Sequence, residues 1–154
     1  MGERFRYAKG RIVDTIEFIL KEIEDYKTFF GTVSYEDYVK CEDILKIKAL
    51  EKTIENILTA LIELSGTISI EERKKIENYY SALKTGATIV GLSEKETEDF
   101  AELAFERNNL VHRYLDLKWN AIKAFQEKLP LIVKFVKKTY EYYRKKNIDK
   151  GKRK

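Results

Sequence analysis

Residues 3–30, ERFRYAKGRIVDTIEFILKEIEDYKTFF, set apolar or aromatic side chains at Phe5, Ala8, Ile12, Ile16, Ile19, Ile23, Tyr26 and Phe30. Steps of three and four put these along one side of a 3.6-residue helix and leave the charged residues on the other. The spacing predicts a first amphipathic helix from about Glu3 to Phe30, with Gly31 placed to end it. An apolar stripe of that length must be covered, and the rest of the chain has to supply the cover.

It does so with more helix. Ser34-Tyr-Glu-Asp37 reads as an N-cap with an acid three residues on, opening a second segment with apolar steps at Ile44, Ile47, Leu50, Ile54, Ile57, Leu61 and Leu64 that ends near Gly66. Ser69-Ile-Glu-Glu72 has capping-box form and predicts a short third helix through Ile76, Tyr79, Tyr80 and Leu83, stopping before Gly86 or Gly91. Ser93-Glu-Lys-Glu96 opens a fourth, whose face of Phe100, Leu103, Ala104, Leu110 and Val111 carries the chain to Tyr114. Asp116 is positioned to cap a last helix from about Leu117 to Arg144, kinked at Pro130. Five helices on short connections make an all-α, up-and-down bundle the economical packing. Heptad-like spacing in the first two helices also suits a coiled coil, but the glycine breaks favour a globular bundle.

Composition agrees. The 154 residues are 44% hydrophobic and 36% charged, enough to bury a core in one domain and too apolar for a disordered polyampholyte. No apolar run approaches the roughly 20 residues of a membrane span. Seven glycines and one proline are too few for the turns of an all-β fold. One Cys cannot form an intrachain disulfide, and one Cys with one His cannot build a zinc site. With no apolar signal segment at the N-terminus, a reducing cytoplasm is expected. The net charge of +4 is misleading, because residues 144–154 hold seven cations and one anion and leave the body at −2. These residues are expected to form a basic, flexible tail behind a bundle of residues 1–143, and net charge is no argument for nucleic acid.

Residues 106–114, ERNNLVHRY, depart from the helix pattern. They contain the only His of the chain, five residues after Arg107 and two before Tyr114, together with Asn108 and Asn109, a residue type mildly unfavourable inside helices. On a regular helix Arg107 and Tyr114 share a face, whereas Arg107 and His112 are separated by about 140°. The two converge only if the helix loosens or a second chain completes the site.

These residues resemble the HEPN superfamily, and most closely its HepT-like branch, whose signature is Arg, four residues, His, one residue, Tyr. Arg107, His112 and Tyr114 match it, and Asn108 occupies the polar position that commonly follows the Arg. Lys48-Ala-Leu-Glu51, followed by Ile54-Glu55, is similar to the family's R-A-L-E stretch, with Lys48 in place of the usual Arg. Residues 79–91 resemble the region before the motif helix, so the likeness spans about residues 35–140. Glu106 stands where an apolar residue often precedes the motif Arg.

The resemblance implies a metal-independent endoribonuclease that uses no cofactor, the toxin of a toxin–antitoxin pair, working as a homodimer with its cleft between the motif helices. Arg107 and His112 would be the catalytic pair, with Asn108 as polar support. A neutral imidazole suits a base for the RNA 2′-hydroxyl, and a guanidinium fork matches phosphate oxygens. In this branch a cognate minimal nucleotidyltransferase antitoxin transfers AMP to the motif Tyr, here Tyr114. The rival functional reading is a non-catalytic helical partner or substrate-binding subunit of a nucleotidyltransferase; a third is a plain helical adaptor. Residue by residue, Arg107 also suits a surface salt bridge with Glu106 or Glu102, and Tyr114 a packing role. Trp119, Cys41 and the tyrosines at 79, 80, 140, 142 and 143 read as packing, and Lys48 is a candidate to face the motif across the bundle.

Overall fold

Ile12, Ile16, Ile19, Ile23 and Tyr26 are all buried along one side of the first helix, α1 (Ile12–Phe29). The computed structural model describes residues 11–152, so the expected start of this helix at Glu3 lies outside the described residues. Gly31 adopts φ +59° and donates its N–H to the Tyr26 carbonyl at 3.1 Å, the left-handed stop that a glycine makes without strain.

Ser34 caps a helix as expected, its hydroxyl accepting the Asp37 N–H at 3.1 Å, but that helix, α2 (Tyr35–Lys40), lasts six residues. Asp43 then accepts the Lys46 N–H at 3.1 Å and opens α3 (Ile44–Glu71) as a separate element. A second capping side chain offers the backbone an alternative to continued helix. At its other end α3 overruns the expected stop. Gly66 is buried in mid-helix, and Ser69, the expected cap, donates its hydroxyl to the Ser65 carbonyl at 2.7 Å. The helix ends where Arg73 takes φ +57° and Lys74 N–H bonds the Ser69 carbonyl at 2.8 Å.

The next helix, α4 (Tyr79–Val90), begins at a capping box of Asn78 and Ser81 and ends at Gly91, with φ +97°. Gly86, the other candidate stop, serves close packing instead: a Cβ there would sit 2.7 Å from Ser65 Cβ on α3. The Ser93–Glu96 capping box is present as expected and starts α5 (Glu94–Ala101). The chain breaks at Glu102 before α6 (Leu103–Leu110), so the expected fourth helix is two. The last helix, α7 (Leu115–Lys152), includes Asp116 in its first turn rather than as its cap and contains Pro130 within its length. It also takes in most of the expected tail. Lys146 pairs with Glu72, which also accepts the Tyr142 hydroxyl, so this end of α7 is held to the end of α3.

There are thus seven helices among the described residues, not five, and the expectation of an all-α bundle holds. Helices α3 and α7 run in the same direction, since Lys118 meets Glu51 at 2.8 Å near their starts and Lys146 meets Glu72 near their ends. Helix α5 runs against α7: Glu96 pairs with Lys134 at 2.6 Å, and Glu102 with Lys128 at 3.1 Å. Phe100 and Phe135 pack between these helices with ring centroids 4.3 Å apart and planes tilted by 31°, and both are fully buried. Gln126 of α7 latches the chain after α1, accepting the Tyr26 hydroxyl and the Val33 N–H while donating to the Val33 carbonyl. Among the described residues no helix is long and apolar enough to cross a membrane.

Candidate active site

Leu103, Arg107 and Leu110 follow one another at steps of four and three on α6, and both leucines are buried. The same spacing turns Arg107 inward, so that it is half-buried at the edge of the core. Its Nε is buried with no hydrogen-bond partner among the described residues. Its guanidinium carbon lies 5.7 Å from the centroid of the Tyr79 ring on α4. The alternative of a salt bridge with Glu106 or Glu102 is not what the structure shows. Glu106 accepts from the Asn109 side chain at 3.4 Å, Glu102 is taken by Lys128, and no ion pair to Arg107 occurs among the described residues. A buried guanidinium nitrogen without a partner is costly, and an incoming anion would relieve that cost.

The helix loosens just past this residue. Val111 has φ −86° and ψ 0°, and the His112 N–H bonds the Asn109 carbonyl at 3.1 Å, three residues back. His112 therefore stands in an exposed turn, not inside a helix as expected. Its ring stacks on Tyr114 at 4.7 Å with planes 28° apart. Its Nδ1 faces the Tyr114 N–H at 3.4 Å, too long a bond to fix the tautomer. Arg113 lies over the Tyr114 ring, its guanidinium carbon 5.4 Å from the centroid. Tyr114 is 53% exposed, and Asn108 is exposed on α6. The structure thus brings His112 and Tyr114 together, whereas no hydrogen bond or ring contact joins Arg107 to His112 within the described chain.

Arg107 instead borders a cleft of about 410 Å³ between α1 and α3. Arg11, which precedes α1, joins Asp14, Thr15 and Phe18 of α1 along one side of the cleft. From α3 come Lys52, Glu55, Asn56, Thr59, Ala60 and Glu63, spaced by three and four. The polar stripe on α3 lies beside the core stripe of Ile54, Ile57, Leu58 and Leu61. Sequence reasoning missed these cleft residues. The signal was present, because polar residues recur at helical spacing in a segment otherwise given over to core.

Lys48 is exposed and does not line the cleft. Its neighbour Glu51 does structural work, pairing with Lys118 and accepting the Tyr38 hydroxyl at 3.3 Å. Burial, followed by the Glu51 carboxylate, pushes the Tyr38 hydroxyl well above the ordinary tyrosine range. Trp119 packs on Tyr35 and Tyr38, at 5.5 and 6.0 Å, as a packing residue should. Tyr79 departs from its packing assignment, since it is 46% exposed and sits beside Arg107.

Comparison with curated proteins and with solved structures returns no match. A family model described as HepT-like, Ribonuclease HepT-like, matches residues 19–139, well over half of the sequence and inclusive of Arg107, His112 and Tyr114. With its all-helical bundle and its motif at the end of α6, the chain belongs to the HepT-like ribonuclease family.

Proposed function

We propose that this protein is the toxin of a type VII toxin–antitoxin system, a metal-independent endoribonuclease acting as a homodimer in the cytoplasm. The observation that supports this most is the half-buried Arg107 guanidinium, which has no counter-ion among the described residues and is followed within five residues by an exposed imidazole. In the reaction, the RNA 2′-hydroxyl attacks the adjacent phosphorus and gives its proton to one imidazole. Arg107 neutralises the charge that gathers on the phosphorane oxygens. A second imidazole gives a proton to the departing 5′-oxygen, leaving a 2′,3′-cyclic phosphate on one product and a 5′-hydroxyl on the other.

One chain holds one His, so the second acid–base group comes from a second copy. Val111, Tyr114 and Leu115, 53%, 53% and 46% exposed around His112, are apolar surface that such a copy would cover. Tyr114 is the proposed site of silencing by a cognate minimal nucleotidyltransferase antitoxin. Its phenolic oxygen attacks the α-phosphorus of ATP, pyrophosphate leaves, and the tyrosyl-AMP sets a bulky anion against His112 and Arg113.

The separation of Arg107 from His112 within one chain favours one rival, a non-catalytic helical partner of a nucleotidyltransferase. Product analysis distinguishes the two. Purified protein incubated with RNA in EDTA should yield cyclic phosphate ends and sediment as a dimer. Uncut RNA together with stable co-purification of a nucleotidyltransferase would establish the rival instead.

A further inference from the structure

The cleft between α1 and α3 has a composition that the cleavage chemistry does not use. Among the described residues three cations and three carboxylates line it, a mixed wall rather than a track for a run of phosphates. Of the cations, Lys52 lies 3.8 Å from Glu55, and Arg11 is also engaged. Among the described residues Arg107 is the cleft cation whose guanidinium has no ion pair. One end of the cleft is therefore prepared for a single anion.

The remaining walls are prepared for something flat and polar. Phe18 is 43% exposed at the wall, an aromatic face left uncovered. Asn56 and Thr59, three residues apart on α3, are half-buried there, and neither side chain has a hydrogen-bond partner among the described residues. A carboxamide presents a donor beside an acceptor, the pattern that pairs with a base edge. An open aromatic ring is a stacking platform for any base. At about 410 Å³ the space falls within the range of about 300–1,000 Å³ common to small-molecule pockets.

We propose that this cleft is a nucleotide subsite. It seats one nucleotide of the RNA strand, with its phosphate on Arg107, its base against Phe18, and its base edge on Asn56 and Thr59. This rests on the ribonuclease reading for its biological substrate, while the binding event itself needs no cleavage. Asn56 and Thr59 would then set base preference at the position beside the cut.

The test uses the full chain and the four nucleoside 3′-monophosphates as probes, followed by nuclear magnetic resonance of the Asn56 side-chain amide and by calorimetry. At least one nucleotide should shift the Asn56 amide saturably. Asn56→Ala should weaken that nucleotide by about fivefold or more, and Phe18→Ala by about tenfold. Inorganic phosphate should bind both variants and wild type alike, because its only proposed partner is Arg107. Circular dichroism checks that the variants keep their helix content. An Asn56 amide that no nucleotide moves, or nucleotide affinity unchanged in both folded variants, overturns the subsite even if RNA is cut. Saturable binding at Asn56 with no RNA cleavage by wild type upholds the subsite and removes the ribonuclease reading.

Discussion

The Arg107 guanidinium carbon lies 5.7 Å from the Tyr79 ring centroid, yet its Nε is sealed from water with nothing to bond. Such a group is retained at a cost to the folded chain of about 1–3 kcal/mol, offset in part by about 0.5–1 kcal/mol from the ring. The arrangement makes sense if the missing partner is an anionic ligand.

Arg107→Met should therefore separate stability from function. Its unfolding free energy should fall within about 1 kcal/mol of wild type, or exceed it, while RNA cleavage drops by about 100-fold or more. Urea denaturation and a cleavage assay on the same preparation check this. A loss of stability above about 2 kcal/mol would show that the guanidinium is a structural group.

Gly86→Ala puts two effects in opposition. Alanine improves helix propensity by about 1 kcal/mol, but its Cβ would lie 2.7 Å from Ser65 Cβ and 2.9 Å from Ser65 Cα, which no side-chain rotation relieves. Overpacking should win, with a net loss of about 1–3 kcal/mol read from the urea midpoint. An unchanged or raised midpoint would mean that α3 and α4 separate easily.

Glu96 carries a pH signature. Its carboxylate is held down to about 2 from an ordinary 4.5, first by the hydrogen bond from Lys134 and then by the Ser93 N–H. A carboxyl whose folded value is depressed stabilises the fold above its unfolded value, and that contribution disappears as pH falls through the folded value. Glu96→Gln should thus be less stable than wild type at neutral pH. The gap in thermal midpoint should close between about pH 4.5 and pH 2. A gap that stays constant across that window would contradict the pairing.

Glu72 should anchor the far end of α7. The hydrogen bonds from Lys146 and Tyr142, in that order, hold its carboxyl below the usual carboxylate range. Glu72→Ala should speed amide hydrogen exchange over residues 140–147 while leaving the core helices protected. Equal protection in both proteins would mean that this part of the helix is held by other contacts.

Sequence signals read well where a single residue enforced the geometry. Gly31 and Gly91 mark helix ends because they take positive φ, and Ser93 with Glu96 forms the capping box that its spacing announced. They misled where a side chain had two options. Ser69 satisfied itself on the Ser65 carbonyl and stayed in α3, and the stop came from Arg73, an arginine in a conformation usually given to glycine. The Asn78–Ser81 box escaped notice because serine takes the role usual for Glu or Gln. At the site, Arg107, His112 and Tyr114 stand close in sequence and were legible from their spacing. The cleft was not, because Phe18 and Asn56 meet only when α1 packs on α3.

His112 is the group proposed to move protons in RNA cleavage. The direct measurement is cleavage of a defined RNA, with EDTA present, by wild type and by His112→Ala at equal helix content. Cyclic phosphate products are expected from wild type, with a loss of about 100-fold or more in the variant, since a positioned acid–base group contributes about 10²–10⁴-fold. Cleavage by the variant at the wild-type rate would contradict that role.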